Sequence, residues 1–298
     1  MSTKEVLDIE NLQVEFENLK QRNRIISDRF YALCLDFKYN SPKEFQNLLL
    51  KSSNDIFYRI NSVNFHIRLL LDYSEAKPKS GHELIDIAKP ANLDEPILNN
   101  SHVKKIFNFS TQEASSLFDS VIYHITTLFD YMGSMINLIY NLTGTKEESL
   151  KWSSLNRTSR DSNKKFHNLN AGKIVRDLNN DFVEPLYKHR STLIHNRSDI
   201  CSISMTLRNQ EPSLIFRFMS TPLLCKSFYP LRKLNIGNDL TLRYSVFWII
   251  NRTFDAINEI LFSIKKDLDE DELKYSQKVK DKMDEISSVK YWHESDNL

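Results

Sequence analysis

Five glycines in 298 residues are the tightest constraint this sequence places on its fold. A chain of ordinary composition and this length holds about four times as many. Glycine supplies the φ > 0 conformations that phosphate-cradling loops and the dense turns of β-sandwiches and α/β sheets require. Those architectures are therefore disfavoured, and a protein of long helices is expected. The length suits one or two domains with a sizeable core.

The 40 Lys and Arg nearly balance 39 Asp and Glu, for a net charge of +1. No whole-molecule field draws the chain to nucleic acid or membrane, so any such affinity must come from a local patch. Cys34, Cys201 and Cys225 are scattered, odd in number and without a CxxC pair. A disulfide framework or structural zinc site is not expected, which favours a reducing compartment. The polar start MSTKEVLDIE carries no signal-peptide core, so Asn-x-Ser/Thr triplets such as that at Asn141 imply no glycosylation. No apolar run is long enough to span a membrane. A soluble, cytoplasmic protein without membrane contact is the expectation.

Hydrophobic periodicity sets the organisation. Residues 4–38 carry Val6, Ile9, Phe16, Leu19, Ile25, Ile26, Phe30 and Leu33 at amphipathic spacing. A second helix is expected over 43–73 after Ser41-Pro42. Residues 74–110 hold Pro78, Pro90, Pro96 and Gly81, and are expected to be a loop-rich connection. The strongest helix is expected over 111–142, capped by Ser110 or Thr111 and stopped by Gly144. Its stripe is Leu117, Val121, Leu128, Met132, Met135 and Ile139. A helix from about 173 to 195 has Pro185 inside it or at its restart. Alternation over Ser202–Leu207 and Leu214–Met219 predicts a β-hairpin around 209–212, followed by a loop with Pro222 and Pro230. Another long helix is expected over 239–268, then a solvated acidic end at 267–272 and a charged last helix with a frayed tail. The fold class is thus all-α: an antiparallel helix bundle with an N-terminal helical extension and a short β-hairpin insertion. The expected division is 1–110, 111–275 and 276–298.

No GxGxxG, Walker loop, GxSxG, HExxH or EF-hand pattern occurs. No carboxylate/His cluster has metal-ligand spacing, so neither metal nor cofactor is expected. What remains is a basic segment and a few arginine–histidine pairs. Residues 151–176 carry seven basic side chains against the single acid Asp161, and read either as a solvated loop or as an RNA groove. The segment LYKHRSTLIHNR (186–197) places Arg190 and His195 five residues apart, near the expected end of a helix. Positions five apart on a helix point about 140° away from each other. The two side chains therefore converge only if His195 sits where the helix ends, or if two copies pair across a symmetric interface. As a bland alternative they form an interface pair or a helix C-cap, where cations are favoured anyway.

With SLFDSVIYHITTLFDYMGSMINLIYN (116–141) as an opening helix and LYKHRSTLIHNR as a motif helix, residues 111–268 resemble the HEPN (higher eukaryotes and prokaryotes nucleotide-binding) family. The ribonuclease members of that all-helical family carry Arg-x4–6-His near the end of a core helix. The pattern itself is loose and occurs here three times: Arg59/His66, Arg160/His167 and Arg190/His195. Only the third has a long amphipathic helix before it and a basic segment beside it. Active family motifs often carry Asn, Asp or His directly after the Arg; here Ser191 stands there.

The resemblance implies a homodimeric, metal-independent endoribonuclease in toxin–antitoxin or antiviral defence, with RNA as substrate and a protein antitoxin or regulator as a further partner. Arg190 would hold the phosphate oxygens and His195 would transfer protons, with Ser191, Asn196, His124 and Asp130 in support. Arg157, Arg160, Lys164, Lys165, Lys188 and Arg197 would contact RNA, and Trp152 and Phe166 would stack on it. His124 and Asp130 are equally compatible with hydrogen-bonded, half-buried structural roles. The alternative function is a non-catalytic HEPN-like module that binds nucleotide, RNA or a partner; a purely structural scaffold is the third.

Overall fold

A computed structural model describes residues 4–40, 43–87, 101–144, 150–195, 199–207 and 214–269. The chain is all-α with short strands. Its elements are β1 (Glu5–Leu7), α1 (Leu12–Asn40), α2 (Lys43–Ile87), α3 (Ser101–Tyr140), α4 (Trp152–Arg160), α5 (Asn170–Leu178), α6 (Glu184–His195), β2 (Ser202–Leu207), β3 (Leu214–Met219), α7 (Pro222–Ser227), α8 (Tyr229–Gly237), β4 (Asn238–Leu240) and α9 (Leu242–Asp269).

The long helices form where apolar residues recur at three and four. On α2 the buried row is Ile56, Ile60, Val63, Ile67 and Leu70; on α3 it is Ala114, Phe118, Val121, Ile125, Leu128, Met132, Met135 and Ile139. Both helices exceed their expected lengths. α2 continues helically through Pro78 and Gly81, and α3 begins at Ser101, so much of the expected 74–110 connection is helix; Pro90 and Pro96 lie outside the described residues. Ser110 and Thr111 are accordingly interior rather than caps, and the Thr111 hydroxyl donates to the Asn108 carbonyl at 2.9 Å.

Contacts divide the chain into two compact units. The first comprises Met1–Glu10, Ser62–His124 and Pro185–Ile249. Within it, β1 pairs in parallel with β4, and β2 pairs antiparallel with β3 in the register Ser202↔Met219 to Leu207↔Leu214. The hairpin agrees with the alternation; its turn falls outside the described residues. The strand β1 corrects the helix expected from residue 4. Asp8 accounts for the difference: it accepts hydrogen bonds from the Thr241 hydroxyl at 2.7 Å and Arg243 Nε at 3.1 Å, and lies 3.4 Å from Arg217 Nε. Burial alone would raise the Asp8 carboxyl, but the Arg243 and Thr241 donors hold it below the usual carboxylate range. Val6 and Ile9 are thus placed by partners more than two hundred residues away. The expected proline loop is also structured: Pro222 and Pro230 sit in the first turns of α7 and α8, where a missing N–H costs nothing. Thr221 caps α7 by accepting the Leu224 N–H at 3.1 Å.

The second unit comprises Asn11–Asn61, Ile125–Glu184 and Ile250–Leu298. Along α1, Arg22 reaches Asn251 and Asp255 of α9, and Arg29 donates to Asn258 at 2.9 Å with its guanidinium over the Phe262 ring. Asp267, expected in a solvated acidic end, is fully buried. It accepts the Asn170 and Ala171 N–H groups at 2.8 and 3.0 Å and the Tyr140 hydroxyl at 2.7 Å. A carboxylate at the N-terminus of α5 satisfies donors that the helix itself leaves open.

Two of the scarce glycines permit close approach rather than turns. A Cβ at Gly172 would meet the Phe166 carbonyl oxygen at 1.8 Å, and one at Gly133 the Leu150 carbonyl oxygen at 2.6 Å. Gly144 has φ +78°, and the non-glycine Asn141 at the end of α3 has φ 50°. Between α5 and α6, Asn179–Val183 forms one π-helical turn. Helix continues on both sides of it, with Pro185 directly after the π-helical turn.

Candidate active site

The candidate site lies on the first unit, where α6 and the chain after it run back along α3. Tyr123 of α3 lies under Arg190, and further toward the start of α3 the Ser115 hydroxyl accepts the Cys201 N–H at 3.0 Å. Between these points Asp119 faces Asp199 closely enough for the two charges to interact.

Arg190 is half-buried. Its guanidinium lies 5.1 Å from the centroid of the Tyr123 ring, and its Nε is buried with no hydrogen-bond partner. His195 is the last residue of α6 and exposed. Both belong to regular helix, so within one copy they diverge by about 140°. Ser191 and Lys188 are exposed on the same helix; Asn196 and Arg197 lie outside the described residues. Ile194 is 61% exposed beside His195, and Ile200 41%.

His124, half-buried on α3, packs its ring 4.8 Å from that of His66 on α2. Asp130 belongs to the second unit, where it accepts the Trp152 N–H at 3.1 Å and so fixes the start of α4.

The basic segment also belongs to the second unit. Arg157, Arg160, Lys164 and Lys165 are exposed on α4 and the loop after it. Arg160 donates to Asn156 at 3.3 Å and to Asn180 at 2.5 Å. Arg176 clamps the segment by donating to the carbonyls of Ser159 and His167 at 2.5 and 2.9 Å. The expectation that Trp152 and Phe166 stack on RNA is overturned, because both are buried. Trp152 packs edge-on against Phe129 and donates through Nε1 to Asn179; Phe166 packs against Tyr140. Trp152 lies on the inward face of the amphipathic α4, and Phe166 is buried in the 3-10 turn Lys165–Asn168 that follows.

Sequence reasoning missed His189 and Asp119. His189 precedes Arg190 but is only 1% exposed, with Nδ1 3.1 Å from the Ser227 hydroxyl and Nε2 buried without a partner. Burial pushes its pKa down to about 4. Asp119 is pushed up to about 6, first by burial and then by the charge of Asp199; its Oδ1 is buried without a partner. Burial raises Asp199 too, while the Thr221 hydroxyl and Leu224 N–H oppose the rise. The available signal was helical phase: Asp119 and Tyr123 are one turn apart on α3. The neighbouring thiols are inert, since burial raises both and pushes Cys225 to about 11.

Among the described residues no group of three or more His, Cys, Asp or Glu is placed to hold a metal ion. No described helix is long and apolar enough to cross a membrane. No family model matches the chain, and neither a curated protein nor a solved structure matches it.

Proposed function

We propose that the chain is one protomer of a homodimeric, HEPN-like, metal-independent endoribonuclease. The observation that carries this reading is the placement of Arg190 and His195 on α6. The histidine is exposed at the helix end beside exposed Ile194 and Ile200, and the arginine points away from it. A two-fold pairing of α6 ends sets Arg190 of one copy against His195 of the other. The exposed isoleucines supply apolar area for that pairing.

In the resulting cleft the ribose 2′-oxygen attacks the adjacent phosphorus. His195 of one copy accepts the 2′-hydroxyl proton, the bond to the 5′-oxygen breaks, and His195 of the other copy, protonated, returns a proton to that leaving oxygen. The products are a 2′,3′-cyclic phosphate and a 5′-hydroxyl. Imidazole suits both roles because its two ring nitrogens can accept and donate a proton. Arg190 holds the non-bridging oxygens, whose charge grows in the transition state. Lys188, exposed on the same helix, adds a sequence-independent phosphate contact, which weakens with salt; Arg157, Arg160, Lys164 and Lys165 offer the same chemistry on the second unit.

One observation favours the non-cleaving alternative, a binding module: Arg190 is engaged by Tyr123 and half-buried. RNA incubated in EDTA with wild-type protein, Arg190→Ala, His195→Ala and a mixture of the two variants separates the readings. A composite site predicts cleavage by wild type, none by either variant alone, and recovery well below wild type in the mixture, because the mixed dimer holds one complete Arg190/His195 pair but lacks the second imidazole. Equal cleavage by wild type and His195→Ala, or none by wild type, removes the proposal.

A further inference from the structure

With Trp152 and Phe166 buried, any stacking on RNA must come from other aromatic residues, and the first unit carries a connected set. Phe65 lies 5.5 Å from His66, His66 lies 4.8 Å from His124, and His124 lies 5.4 Å from Tyr123, measured between ring centroids. The Arg190 guanidinium closes the row over Tyr123. The two imidazoles meet half-buried where α2 packs on α3. Phe65 and Tyr123 stand at 88° and 74° to the imidazoles beside them and are 58% and 46% exposed. The arrangement has an imidazole floor and two exposed aromatic walls, and one wall carries the arginine assigned above to phosphate.

We infer that Phe65, His66, Tyr123 and His124 form a nucleobase-stacking ledge that holds an unpaired base of single-stranded RNA next to the phosphate gripped by Arg190. This deepens the ribonuclease reading and rests on it for the role of Arg190. An exposed aromatic ring offers a π-face to any base, and a base is exposed to such a ring only where the RNA is unpaired. His66 is fixed in orientation by Nδ1, 2.8 Å from the Ser62 carbonyl. A proton on Nδ1 donates there and leaves Nε2 as an acceptor for an edge amino group of the base. The ledge selects unpaired over paired RNA, a choice that the lysines and arginines of the second unit cannot make, because phosphate contacts alone are blind to sequence.

The test uses the non-cutting His195→Ala protein and a single-stranded RNA of about ten nucleotides containing 2-aminopurine, whose fluorescence falls when it stacks. The ledge predicts quenching on binding, weaker binding of the same sequence as a duplex at equal salt, and a loss of about fivefold or more in single-strand affinity for Phe65→Ala. Phe65→Trp restores the affinity because an aromatic face returns. Phe65 is exposed, so its removal leaves the core intact, which circular dichroism checks. Unchanged affinity for Phe65→Ala, or equal quenching with the duplex, overturns the inference. So does a change of oligomeric state in Phe65→Ala with RNA affinity unaltered, which would make this face a contact between copies. RNA that is quenched by the ledge yet never cut by wild type keeps the ledge and removes the ribonuclease; cutting that ignores Phe65 does the reverse.

Discussion

The Arg190 guanidinium lies 5.1 Å above the centroid of the Tyr123 ring, so among the described residues the cation assigned to phosphate is held by an aromatic face and not by a carboxylate. A carboxylate would neutralise the charge that a phosphate needs. A ring orients it and leaves it positive, with an attraction of about 0.5–2 kcal/mol. Tyr123→Phe is therefore expected to keep RNA affinity and stability near wild type. Tyr123→Ala is expected to lose about 1 kcal/mol in urea unfolding and to reduce cleavage through a disordered Arg190.

His189 predicts acid sensitivity. Its folded pKa, pushed down to about 4 by burial, lies below the ordinary 6.5, so the unfolded chain binds the proton more readily. The stability from this group is complete above pH 6.5 and is lost as pH falls toward 4. Between pH 7.5 and 5 the loss is roughly 2 kcal/mol. In paired urea titrations at those two pH values, His189→Leu should lack this loss, so its change on going to pH 5 should be more favourable than that of wild type by roughly 2 kcal/mol.

Asp119 predicts the opposite slope. Its folded pKa is raised to about 6, so its contribution is complete below the ordinary carboxylate value and is lost as pH rises through about 6. Asp119→Asn is expected to be more stable than wild type above pH 6 and to lose that advantage near pH 4. The His189 and Asp119 trends oppose each other between pH 4 and 6, so wild type changes little there. Each single variant exposes the slope of the other group, which thermal melts across that window resolve.

The two close-approach glycines predict a ranked pair of losses. Gly172→Ala drives a methyl into the Phe166 carbonyl, and Gly133→Ala into that of Leu150, with separations of 1.8 and 2.6 Å before relaxation. Both obstacles are backbone, which cannot swing aside as a side chain does. Gly172→Ala should cost at least about 3 kcal/mol, with Gly133→Ala somewhat less. Gly144→Ala, in open space but at φ +78°, should cost only about 1–2 kcal/mol. Denaturant midpoints of the three variants test the order.

The helices and the hairpin were legible because their signals are local. Ile56, Ile60, Val63, Ile67 and Leu70 repeat at three and four, and Ser202–Leu207 alternates opposite Leu214–Met219. The N-terminal strand was illegible for the opposite reason. Val6 and Ile9 also fit a helical stripe, and it is the pairing of β1 with β4 together with Asp8, tied to Thr241 and Arg243, that holds the stretch extended. Arg190 and His195 stand out in the sequence as a spaced pair, whereas Asp119 offers only its helical phase with Tyr123, and His189 became notable only through burial.

The glycine shortage and the hydrophobic period thus determined the class of this protein from sequence alone, since both act through φ, ψ and helical phase within a few residues. Which aromatics face water was decided by tertiary structure. Trp152 and Phe166 are as aromatic as Phe65 and Tyr123, but the first pair fills the space between packed helices and the second does not. Burial is a property of what lies opposite a side chain, and those partners come from distant parts of the chain that no local pattern records.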